Sequence, residues 1–150
     1  MNHSPMNLGA SRFGQREHRV YLLMIWNPKY LSTSEHIKEA RYPGLKDSKN
    51  HDIASKQMDY FGGMLSFFLE DHIDQEKYWD ELHLYKLAVS LGGVETLIEV
   101  PYLMTHEKVT GLDGEVINNA FEDLIRISVG IENIEDLIDD MDSALNASKK

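Results

Sequence analysis

Ser90–His106 reads SLGGVETLIEVPYLMTH, and Arg126 stands twenty residues beyond it inside the apolar run LIRISVG, Leu124–Gly130. Glycine weakens a strand unless the backbone must turn or closely approach something, so Gly92-Gly93 beside the strand-like Glu95–Val100 needs a reason. A guanidinium in an apolar strand needs one too, because it carries five donors that must be satisfied. Alternation along Leu124–Val129 puts Ile125, Ile127 and Val129 on one face and Leu124, Arg126 and Ser128 on the other. One face is therefore read as buried, while the other carries a cation and a hydroxyl. The planar, permanently charged fork of arginine matches a carboxylate bidentately. Position alone leaves open an exposed edge strand, or a structural ion pair with one of the chain's many acids. Ser90 closes a strand before Leu91-Gly92-Gly93, where freed backbone can approach a ligand or simply make a tight turn. Glu95 and Thr96 either line that corner or sit on an exposed strand face.

Outward from this centre, strands and helices interleave. Lys86–Ser90 and Glu95–Val100 read as short strands flanking the glycine pair, and Leu124–Val129 as the clearest strand. Met64–Leu69 is short, apolar and aromatic, which predicts a buried strand. Ile37–Tyr42 predicts another, closed by Pro43-Gly44. Helices are predicted over His51–Tyr60, capped by Ser48 or Asn50 and stopped by Gly62-Gly63, and over Asp74–Leu84. Asn133 caps a last helix whose Ile134, Leu137, Ile138, Met141 and Leu145 keep the helical period. Glu17–Trp26 can be helical up to Asn27-Pro28, residues 1–16 lack periodicity, and Glu107–Asn119 is polar and read as loop with a helical turn. The expectation is an α/β (α+β-like) layer of helices against a small sheet, with a boundary near Pro28.

A chain of 150 residues supports one domain, able to bury roughly 70% of its unfolded surface. A formal charge of −10 argues against a general nucleic-acid binder, which needs a basic stripe. Glu132, Glu135, Asp136, Asp139, Asp140 and Asp142 read as a solvated helix face. The absence of cysteine excludes disulfides, thiolate zinc sites and thiol nucleophiles, and fits a reducing cytoplasm, where the protein is placed. No apolar run reaches the roughly 20 residues that span a bilayer, so no membrane partner is expected. The histidines lack zinc-protease spacing, and Glu70, Asp71, His72 and Asp74 lack the pattern of a calcium loop, which predicts no metal site. His106 is read as structural. No nucleophile elbow, phosphate loop or dinucleotide fingerprint occurs.

Six landmarks follow one another in a recognisable order: RYPGL (Arg41–Leu45), KQM (Lys56–Met58), FGGMLSF (Phe61–Phe67), LAVSLGGVETLIEVPYLMTH from Leu87, DLIRISVGIENIEDLIDDM from Asp123, and Ala144-Leu145. On these the chain from Tyr30 to Leu145 resembles the C-terminal domain of the pyridoxal-phosphate enzymes of cysteine and methionine metabolism, most of all the cystathionine γ-lyases. The resemblance implies the small domain of an aspartate-aminotransferase-like (fold-type I) enzyme, with a short, mainly antiparallel sheet and helices packed on one side. It implies residues 30–150 as that domain and 1–29 as a divergent, partly disordered or remnant-helix segment, with Pro28 interrupting the helix that enters the domain in the family. A second departure is NNAFED, which stands where many members carry a glycine-containing turn before LIR.

By the same resemblance, Arg126 binds the α-carboxylate of a small sulfur amino acid. Ser90 and Leu91 belong to the loop beside cofactor and substrate, Glu95 helps select the distal group, and Thr96 joins them. The family cofactor is pyridoxal 5′-phosphate, but its Ser-x-Thr-Lys attachment motif and phosphate cradle do not occur here. The implied protein is therefore a truncated, substrate-side part of a trans-sulfuration carbon–sulfur lyase, inactive as a lone chain. Methionine γ-lyase and cystathionine β-lyase parts are alternatives, as is a non-catalytic module pairing with a full-length relative. The family forms homotetramers.

Overall fold

The computed structural model describes residues 30–89, 93–104 and 123–150. Five strands form one sheet: β1 (Ile37–Arg41), β2 (Met64–Leu69), β3 (Lys86–Leu87), β4 (Leu97–Glu99) and β5 (Ile125–Ser128), in the order β1-β2-β5-β4-β3. All neighbours are antiparallel except β3 and β4. The expected mainly antiparallel sheet is thus present, with β5 at its centre rather than at an edge.

Alternation gives the sheet two unlike faces. Leu65, Phe67, Ile98, Ile125 and Ile127 all project to one side and are buried. Against them lies α4 (Ile134–Ala147), whose Leu137, Met141, Ala144 and Leu145 repeat at helical spacing and are fully enclosed. Asn133 starts this helix as expected, its side chain accepting from the Glu135 amide at 2.9 Å. Helix α2 (Gln75–Glu81) packs on α4 and contributes the fully buried Tyr78. Burial pushes the Tyr78 phenol well above its ordinary value. Helix α1 (His51–Gln57) follows the β1 turn, and α3 (Pro101–Met104) is a single turn after β4 that the sequence reading did not anticipate.

Several elements are shorter than expected, for identifiable reasons. Helix α2 stops at Glu81 instead of Leu84 because the Asp140 carboxylate takes the His83 and Leu84 amides, the latter at 2.8 Å. Helix α1 stops at Gln57 instead of Tyr60, where Met58 turns to extended backbone. Its cap is Asn50, although the Asn50 side chain makes no capping hydrogen bond. Beyond it Gly62 adopts φ +76° and its carbonyl accepts from the Tyr42 hydroxyl at 2.9 Å. Burial pushes that phenol up to about 12.

The acidic segment also differs from a uniformly solvated face. Asp140 holds the end of α2, Asp142 accepts from the Tyr30 hydroxyl, and Glu132 binds Thr96, whereas Glu135, Asp136 and Asp139 are exposed. The predicted segments Glu17–Trp26 and Glu107–Asn119 lie outside the described residues, as does His106.

Glycine is required by packing at Gly130, just past β5. A Cβ there would stand 2.5 Å from both the Glu95 carbonyl carbon and the Thr96 nitrogen, so the strand ends touch through backbone. Gly130→Ala should therefore destabilise the chain by about 1–3 kcal/mol through overpacking, read from urea unfolding. Leu137→Ala, at a fully enclosed position, should cost about 2–5 kcal/mol, against less than about 0.5 kcal/mol for Leu87→Ala on the exposed edge strand.

Candidate functional site

The face of the sheet turned away from α4 carries the polar chemistry. Register places Arg126 of β5 directly opposite Glu99 of β4 on one flank and Ser66 of β2 on the other. Directly opposed residues share a face, and in turn Ser66 faces Arg41 of β1. A row of Arg41, Ser66, Arg126 and Glu99 therefore crosses four strands.

The two arginines of this row differ in setting. Arg41 lies on the edge strand with Glu39 at 2.7 Å and its guanidinium 4.8 Å over the Phe68 ring. Hydrogen bonding to Arg41 holds the Glu39 carboxyl below its ordinary range. Both partners are about half exposed, and such a surface pair contributes little. Arg126 lies on the central strand, and its Nη2 pairs with Oε1 of Glu99, whose side chain is 1% exposed against 33% for Arg126. An ionised carboxylate so enclosed is costly unless a cation faces it, and Arg126 is that cation. Arg126 Nε and Glu99 Oε2 are buried without a hydrogen-bond partner among the described residues. The guanidinium is thus held at its inner edge by the sheet while part of it reaches the open face, where it can bind an anion bidentately.

The neighbouring corner is built by Thr96 and Glu132. Thr96 is fully buried, its amide and hydroxyl donating to the two oxygens of Glu132 at 2.7 and 2.8 Å. The same hydroxyl accepts from the Gly130 amide at 2.9 Å. This network ties the start of β4 to the end of β5 and so holds the register that brings Glu99 opposite Arg126. Glu95 stands outside it, exposed, with its carboxylate 2.6 Å from the Lys86 amine. That hydrogen bond holds the Lys86 amine above its ordinary value.

Of the residues expected to form the site, Arg126 stands on the polar face as the sequence reading required. Thr96 and Glu95 lie at its β4 end, Thr96 with its hydroxyl engaged by Glu132 and Gly130 and Glu95 in an exposed ion pair. Ser90 and Leu91 lie outside the described residues, together with Gly92. Gly93 has open space where a Cβ would stand, whereas Gly130 is in close backbone contact with Glu95 and Thr96. Glu99 was missed. The signal was available in TLIEVP, where an acid interrupts an apolar strand as Arg126 interrupts its own.

The comparisons with known proteins agree with this architecture. The chain is 46% identical over 117 residues to the cystathionine β-lyase of Lactococcus lactis subsp. cremoris (strain MG1363), covering 78% of this chain and 30% of that protein. It is 41% identical over 118 residues to the cystathionine γ-lyase of Dictyostelium discoideum, covering 78% and 30% respectively. The chain therefore spans about 30% of the length of these curated relatives. Among solved structures, cystathionine γ-lyase from Lactobacillus plantarum complexed with L-serine superimposes with a TM-score of 0.77 at 32% identity, over 87% of this chain and 34% of that one. Cystathionine γ-synthase from Xanthomonas oryzae pv. oryzae in complex with cystathionine matches with a TM-score of 0.77 at 31% identity, again over 87% and 34%. Residues 26–146 match the family described as Cys/Met metabolism PLP-dependent enzyme, and the chain belongs to that family.

Proposed function

We propose that this chain is the substrate-side part of a carbon–sulfur lyase of trans-sulfuration, in which Arg126 holds the α-carboxylate of a sulfur amino acid such as cystathionine. The observation that carries the reading is the placement of Arg126: a guanidinium fixed on the central strand, one third exposed, on the polar face of the sheet. Relatives named as β-lyases and as γ-lyases support cleavage of a carbon–sulfur bond of cystathionine at this level. In this reading residues 30–150 form the small domain, Ser90 and Leu91 lie beside the bound substrate, Glu95 stands near its entrance, and the buried Thr96 ties together the strand ends behind it. The setting is the cytoplasm; no helix among the described residues is long and apolar enough to cross a membrane.

Pyridoxal phosphate, the family's cofactor, supplies an electron sink for the carbanion formed at the substrate α-carbon. Among the described residues Arg126 offers a partner for the carboxylate end of a substrate, and several lysines are engaged elsewhere. Lys86 is engaged by Glu95, Lys38 lies near Asp71, Lys149 near Glu35, and the Lys150 amine donates to the Asp71 carbonyl. Among the described residues no ion pair or hydrogen bond joins a lysine to Arg126, Glu99 or Ser66. Arg126 is left with binding and orienting: two parallel N–H donors fix the plane of a carboxylate and the direction of its bond to Cα. We accordingly propose that the lone chain binds the amino acid without turning it over.

Titration of the full chain with L-cystathionine, followed at the Arg126 Nε–Hε resonance, should give saturable binding. Arg126→Lys, which keeps a cation opposite Glu99 but loses the fork, should weaken it about tenfold. An unchanged affinity removes Arg126 from the carboxylate site. Borohydride treatment after addition of pyridoxal phosphate should leave no stoichiometric adduct on a single lysine; a specific adduct contradicts the inactivity of the lone chain.

A further inference from the structure

Glu99 satisfies two conditions that together are unusual for a carboxylate. It is enclosed to 1% exposure, and neither of its oxygens reaches solvent, so it cannot touch a ligand on the polar face. Yet its Oε1 sits against Nη2 of Arg126, the group whose other side is open. Its remaining oxygen has no donor among the described residues, so nothing else there offsets the charge of Glu99, and the acid and the guanidinium neutralise each other in the free protein.

We infer that Glu99 is a positioning residue that sets the anion affinity of Arg126. The inference rests on the carboxylate role of Arg126 proposed above and adds what that role does not contain. The ligand's carboxylate meets a guanidinium that is already paired with a buried acid and whose plane is already fixed by the sheet. Two effects follow and oppose each other. The buried charge lowers the attraction of Arg126 for every anion, because a second negative group must approach one cation. The same contact, with the opposed strand positions, restricts the rotamers of Arg126, so less conformational freedom is lost when a ligand of matching geometry docks. A planar carboxylate that can use the fixed fork is thereby favoured over spherical or loosely held anions, and general anion binding is kept weak.

The test uses the full chain with acetate as probe, chloride as the non-planar comparison, and the Arg126 Nε–Hε resonance as the readout. Glu99→Gln preserves shape and an acceptor for Nη2 while removing the charge. Its Kd for acetate should fall about tenfold, and its Kd for chloride at least as much, so that affinity rises while the preference for acetate does not. Unchanged or weaker acetate binding in Glu99→Gln, with the native chain still binding, overturns the role of Glu99 and leaves that of Arg126 standing. No Arg126 response to acetate in either protein overturns both. If Glu99→Gln loses its dispersed amide spectrum, the native chain still decides. The Glu99 carboxyl carbon should then shift with the same Kd as Arg126 on adding acetate, and a Glu99 signal that stays still contradicts the inference.

Discussion

A carboxylate enclosed in a sheet is the constraint on which the remaining structure turns. Removing Glu99 from water costs several kcal/mol, and the cost is recovered only while a cation stands opposite with good geometry. That demand fixes the register of β4 on β5. A slip of one residue would carry Glu99 to the apolar face occupied by Ile98 and Ile127, and would turn Ile98 toward Arg126. The pair therefore works as a register key. Its contribution to stability alone is small or even unfavourable compared with two apolar residues.

The surrounding elements serve to keep that key in place. On the far side of the sheet, α4 encloses Ile125 and Ile127, the residues on either side of Arg126, so the strand cannot rotate about its axis. At the strand ends, Thr96, Glu132 and the backbone contact at Gly130 clamp β4 against β5. Asp140 and Asp142, drawn from the same acidic helix, hold the end of α2 and Tyr30. A binding group on a rigid central strand has less freedom to lose than one on a loop. This is the arrangement that suits the carboxylate-binding role proposed for Arg126.

Much of this was legible in the sequence because period decides local structure. Met64–Leu69 and Leu124–Val129 alternate cleanly or run apolar between turn signals, and both appear as strands within a residue of their expected bounds. The last helix carries its cap and its stripe in the sequence itself. Arg126 was legible for the opposite reason, as the residue that breaks its own pattern. What stayed hidden depends on contacts distant in the chain. Glu99 lies 27 residues before Arg126, and nothing local tells whether an acid in TLIEVP faces solvent or a cation. Asp140 and Glu132 look like solvated acids until α2 and β4 are brought to them. Gly130, unlike the conspicuous glycine pair, has no local turn signature; it is required by the backbone of Glu95 and Thr96, which is distant in the chain.

The most direct test of this account is a double-mutant cycle on stability at neutral pH, using Arg126→Met, Glu99→Leu and the combination. Arg126→Met alone should cost about 3–5 kcal/mol, because it leaves a buried charge unpaired. The double substitution should recover most of that loss, giving a coupling energy of at least about 2 kcal/mol. Additive effects, with the double variant as unstable as the sum of the two single ones, would show that Glu99 and Arg126 do not hold each other in the sheet.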